Sequence, residues 1–218
     1  MMLFKLFGAV ALLFFAYAQY WALVRAPADY QMGDVYRILF VHVPAAWNAL
    51  LLLTFSFVAS LMTLLKRSAT WDRLAHSSIE VGVLLTGLAL ALGSIWGRPT
   101  WGVWWTWDPR LTTTAILFIL YLGYLMLRRL IEDRERRSRI TASVSILIYL
   151  NVPIVYFSVK WWRTLHQVQS NPNTMDPAMV TGLRLNALAL LALSLFFLIF
   201  RYRLAKREQI NQEKEDSK

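Results

Sequence analysis

The sequence predicts an all-α membrane protein with six transmembrane helices. Hydrophobic residues make up 57% of the 218 positions, and they gather into runs near the roughly 20 residues needed to cross a ~30 Å hydrocarbon layer. Six such runs alternate with short polar segments, which puts both termini on one side of the membrane. Of the 23 Lys and Arg residues, sixteen fall on that side and seven on the other. Positive charge marks the cytoplasm, so both termini are expected inside.

The six runs lie at Leu3 to Val24, Ala45 to Leu65, Ser77 to Ile95, Leu111 to Leu127, Ile140 to Val159 and Met179 to Phe200. In the first, Ala16-Tyr17-Ala18 looks like a signal-peptidase site behind an apolar region with Lys5 ahead of it. The apolar stretch continues to Val24, longer than a usual signal core, so this run is expected to persist as a span. The fourth run is the shortest and needs its flanks. Pro44, Asp108-Pro109 and Asp176-Pro177 read as helix starts, the proline at the first helical position and each Asp as an N-cap. Neither an internal repeat nor a linker divides the chain, so residues 1–218 read as one domain. The polar tail of residues 201–218 reads as a cytoplasmic helix extension.

Composition also excludes chemistry. The chain has no cysteine, which removes disulfides, thiolate metal sites, Fe–S clusters and covalent thioether attachment. The formal charge of +10 is spread between apolar runs rather than over one soluble face, so it reads as topology and not as a nucleic-acid surface.

One stretch, Trp96 to Arg110, holds five of the ten tryptophans. Its prolines and glycines argue against a plain membrane-crossing helix. It is expected to be an ordered loop at the membrane surface, offering flat apolar rings to a planar ligand. The parity of the spans puts this loop, residues 26–44 and residues 160–177 on the outer face. Two of the three histidines, His42 and His166, fall there too. A lone interfacial histidine is most simply hydrogen-bonded to backbone. A pair flanking a tryptophan cluster can instead supply both axial ligands of a haem iron. Zinc fits less well, since a third His or Cys is lacking on that face. Three helix N-termini and seven basic side chains on the same face suit a ligand with carboxylates. Asp108 is expected to cap its helix, and a bond to a ligand histidine is compatible with that. His76 reads as a cytoplasmic helix end, Glu80 has no assigned role, and the Arg128 to Arg139 run reads as a topogenic loop.

The segment Trp96-Gly97-Arg98-Pro99-Thr100-Trp101-Gly102-Val103-Trp104-Trp105-Thr106-Trp107-Asp108 resembles the "WWD" signature of membrane haem-handling proteins in cytochrome c biogenesis. The segments Leu39 to Trp47 and Tyr156 to Gln167 resemble the two flanking histidine segments of its CcmC branch. The resemblance covers essentially the whole chain. It implies a bacterial inner-membrane protein, not an enzyme, that holds haem b non-covalently at the periplasmic face and presents it to the periplasmic haem chaperone CcmE. It implies His42 and His166 as axial ligands, with Trp101, Trp104, Trp105, Trp107 and Asp108 forming a shallow haem platform. It also implies the partners CcmA and CcmB, an ABC transporter pair, and the small protein CcmD. Pro109 departs from the small residue expected there, and a first-turn proline is tolerated. A haem b electron-transfer subunit is the competing class, although such proteins place histidines within spans. A solute transporter would show broken helices near the midplane, and only Asn186 and Asn151-Val152-Pro153 hint at that.

Overall fold

In the computed structural model, which describes residues 2–166 and 175–216, the described chain is helical apart from its connections. Helix α1 (Met2–Tyr20) runs on through a π-helical turn, Trp21–Arg25. A 3-10 turn, Asp34–Ile38, leads into α2 (Leu39–Lys66), and α3 (Ala69–Trp101) returns beside it. Then come α4 (Pro109–Leu130), α5 (Arg134–Tyr149), α6 (Asn151–Trp161) and α7 (Pro177–Asp216). Taking α5 and α6 as one interrupted rod, six helices among the described residues are long and apolar enough to cross a membrane, as the sequence predicts.

The helix ends follow from local chemistry, with two departures from expectation. Asp108 caps α4 by accepting from Arg110 N at 2.9 Å and Leu111 N at 3.4 Å, and Pro109 takes the first position. Asp176 accepts from Ala178 N at 2.7 Å at the start of α7. Pro44, by contrast, is not a first residue. Helix α2 starts at Leu39, and Pro44 sits buried inside it. Its carbonyl receives Asn48 Nδ2 at 2.9 Å, and Asn48 also reaches Ala187 O of α7 at 3.2 Å. The tryptophan stretch is likewise half helix. Helix α3 continues through Pro99 to Trp101 and stops at Gly102, whose φ of +79° lets its N–H close on Arg98 O at 3.1 Å. The irregular loop is therefore only residues 102–108.

The fifth span breaks at Leu150 because Pro153 has no N–H to offer Tyr149 O. Asn151 steadies the break by donating to Thr113 O of α4 at 2.9 Å. Asn186 ties α7 to α1 through Ala18 O at 3.1 Å and by accepting from Gln19 Nε2. Both asparagines are thus committed to interhelical bonds, which is what polar side chains within apolar bundles commonly do.

The α2–α3 hairpin is the centre of the bundle. Helices α1 and α7 pair with each other on one side of it, and α4, α5 and α6 pack on the other. Leu53, Ile79, Leu117 and Tyr121 are fully enclosed where α2, α3 and α4 meet. At the end carrying both termini, Arg128 Nη2 pairs with Asp72 Oδ2 at 2.6 Å and Arg128 Nη1 donates to Thr141 Oγ1 at 2.9 Å. Arg201 grips Glu80 through two contacts of 2.9 and 2.6 Å. Glu80, given no role by the sequence, therefore locks α7 to α3. His76, in the second turn of α3, lies 3.7 Å from the same carboxylate.

Candidate functional site

At the opposite end, α2, α3, α4 and α6 enclose a cavity of about 450 Å³, within the usual size of a small-molecule site. His42 and His166 both line it, together with Trp96, Trp101, Gly93 and Arg110. His42 is carried by the first turn of α2 and faces α3. Its Nδ1 lies 3.0 Å from Ala89 O. A carbonyl can only accept, so Nδ1 carries the proton and Nε2 keeps its lone pair. Gly93, one turn on from Ala89, is required by the close approach. A methyl group there would lie 2.9 Å from His42 Cε1. Trp96 packs edge-to-face on the imidazole with ring centroids 5.8 Å apart.

His166 is held by a different device. Its Nδ1 lies 3.0 Å from Asp108 Oδ1, the oxygen that also caps α4. The other oxygen, Oδ2, accepts from Thr164 Oγ1 at 2.5 Å and Leu165 N at 2.8 Å, and Thr164 Oγ1 accepts from His166 N at 3.0 Å. One carboxylate therefore joins the start of α4 to the segment after α6. Capping and a bond to the histidine, the two roles open to Asp108, hold together. Burial raises the Asp108 pKa, but the bonds from Thr164 and Leu165 and the nearby His166 outweigh it, and the group stays below its ordinary 3.8. Burial also depresses the His166 pKa below 6.5, against the pull of Asp108 upward. Both groups thus favour a carboxylate facing a neutral imidazole, again with Nε2 free. Trp101 closes on this ring with centroids 5.0 Å apart.

The family described as Heme exporter protein C (CcmC) matches residues 1–217. The chain belongs to this family. It is 41% identical over 168 residues to a heme exporter protein C of Bradyrhizobium diazoefficiens, covering 75% of this chain and 64% of that one. Against the Escherichia coli K12 heme exporter protein C it is 36% identical over 184 residues, covering 84% and 75%. A mitochondrial ccmC-like protein of Marchantia polymorpha, named for cytochrome c biosynthesis, is 42% identical over 156 residues, covering 71% and 65%. This chain thus spans about two thirds to three quarters of these CcmC-family relatives. Family and helices together make it a multi-pass membrane protein.

Of the residues singled out from sequence, the cavity gathers His42, His166 and Trp101, with Asp108 behind His166. Trp104, Trp105 and Trp107 lie outside its lining and are 58%, 37% and 82% exposed. The cavity is recessed between helices, and these three rings stand exposed outside it. Sequence reasoning passed over Ala89, Gly93 and Thr164. The Ala89-Gly93-Gly97 repeat, one small residue per turn on α3, was the signal for the first two. In the lining, Trp96 Nε1 is buried without an acceptor among the described residues, and Arg110 Nη2 donates to Tyr156 O at 3.4 Å.

Proposed function

We propose that the protein binds haem b non-covalently between His42 and His166 at the periplasmic face of the bacterial inner membrane. It then presents the haem to the chaperone CcmE for c-type cytochrome maturation. The observation that carries this reading is that two imidazoles line one cavity, each with Nδ1 committed to an acceptor and Nε2 left as a ligand lone pair. The relatives' names, heme exporter and cytochrome c biosynthesis protein, point the same way. The residues fit the cargo. Trp96 and Trp101 offer apolar faces to a macrocycle, and Arg110 at the positive end of α4 suits a propionate.

Nothing here requires a reaction on the cargo. The iron supplies the two coordination positions, and the chain supplies neutral imidazoles held in fixed tautomers. Trp104, Trp105 and Trp107 form the exposed rim against which CcmE docks, while CcmA, CcmB and CcmD pack on the apolar helix faces. An absorption spectrum of the purified protein, with and without added haem, tests the reading. A six-coordinate low-spin spectrum supports it, and absence of any haem uptake sinks it.

A further inference from the structure

The two histidines are held in unlike ways. His42 belongs to a helix, and what touches its ring belongs to the helix packed against it. Ala89 O takes its Nδ1–H at 3.0 Å, the Gly93 backbone lies beneath Cε1, and Trp96 covers a third side. Moving this ring means disturbing the contact between α2 and α3, the most extensively packed helix pair in the bundle. His166 instead stands on irregular backbone after α6, its Nδ1 bonded to a side chain, Asp108, rather than to helix backbone, and its ring covered by Trp101. A change of torsion in residues 162–166 withdraws it without moving a helix.

Resting on the reading of these two residues as the ligand pair, we propose that Ala89 and Gly93 form a rigid seat that makes His42 the fixed ligand, so that His166 is the one that lets go when haem leaves. In the exchange, the iron bond to His166 Nε2 breaks and a bond to the incoming donor forms. No electron is transferred, and His166 leaves as the neutral imidazole it already was. Gly93 is thus a positioning residue, acting through His42.

Carbon monoxide on the dithionite-reduced, haem-loaded full-length protein is the probe, because it takes the position of whichever histidine yields. A histidine bonded to a carboxylate is a stronger donor to iron than one bonded to a backbone carbonyl. The Fe–CO and C–O stretches therefore distinguish the retained ligand. The wild-type adduct should match the adduct of His166→Ala, in which only His42 remains. A match to the His42→Ala adduct would reverse the order and overturn the proposal.

Gly93→Ala should loosen the seat. Release of His42 should then quicken on the order of tenfold, the scale of one added methyl in a packed contact, and show as a second adduct resembling that of His42→Ala. An unchanged rate and a single adduct in Gly93→Ala would remove the seat from the argument. Should Gly93→Ala fold poorly, His42→Ala/Gly93→Ala keeps the test open, since the methyl then has room and thermal stability should return to that of His42→Ala. Gly123→Ala, where an added methyl meets nothing within 4 Å, is the control. Failure of the underlying reading looks different: neither single histidine variant would alter the six-coordinate spectrum of the haem-loaded protein.

Discussion

Replacing Asp108 by Asn removes one charge and one acceptor while leaving the shape. The remaining amide oxygen can serve only one of two sets of donors. If it stays at Oδ1, it keeps Arg110 N, Leu111 N and His166 Nδ1. The new NH2 group then faces Leu165 N–H, formerly 2.8 Å from Oδ2, and Thr164 Oγ1 must turn away. The cap survives, since Asn and Asp are equivalent N-caps. The lost charged bond is worth about 1.5–3 kcal/mol. Asp108→Ala loses that, the cap at about 1 kcal/mol and the acceptor for His166, so about 3–5 kcal/mol in all when non-additivity is allowed for. At roughly 2–4 °C per kcal/mol for a chain of this size, Asp108→Asn should lower the melting temperature by about 3–12 °C, and Asp108→Ala by more. Thermal unfolding in detergent measures this. Imidazole 15N shifts report the His166 tautomer, expected to be fixed in wild type and mixed in Asp108→Ala. Equal stability of both variants with wild type, and an unchanged tautomer, would refute the account of Asp108 as the joint between α4 and the segment after α6.

Other expectations follow from the same contacts. His166 has a folded-state pKa below 6.5, so the unfolded chain binds its proton first, and stability should fall as pH drops below about 6.5. Urea midpoints of wild type and His166→Gln across pH 5 to 8 test this, and parallel profiles count against it. Asp108, depressed below 3.8, adds stability that is fully present above that pH and is lost as pH falls through its lower folded value, so His166→Gln should keep an acid limb there. Arg128→Met strands the Asp72 carboxylate and should cost about 3–5 kcal/mol while the haem spectrum stays unchanged. A reporter fused after Gly102 should be active in the periplasm and one after Glu132 in the cytoplasm, and the reverse pattern would invert the assignment of faces. Trp101→Ala should cost haem retention, whereas Trp104→Ala/Trp105→Ala should chiefly impair delivery to CcmE. Equal retention in both would erase the distinction between lining and rim.

The helices were legible in the sequence because apolar length is a strong signal, and the starts at Pro109 and Pro177 because Asp-Pro combines a cap with a fixed φ. Pro44 and Pro99 were misread for the same reason, since a proline near a helix end reads as a boundary. At Pro44, which is fully enclosed inside α2, packing by its neighbours outweighs the lost hydrogen bond. Parity put His42 and His166 on one face, and the tryptophan cluster and the family resemblance singled them out. What parity could not give was depth: His42 turns inward because Gly93 and Ala89 leave room and an acceptor on a helix about 50 residues away in sequence. The Glu80–Arg201 and Asp72–Arg128 pairs were hidden because long-range ion pairing leaves no periodic trace.

The central claim is that His42 and His166 together hold haem, and the most direct measurement is the absorption and low-temperature EPR spectrum of the haem-loaded protein and its single variants. Wild type and His76→Ala should be six-coordinate and low-spin, while His42→Ala and His166→Ala should each become five-coordinate or water-bound, with imidazole restoring the low-spin form. Retention of the wild-type spectrum and haem content in both single variants would contradict the claim.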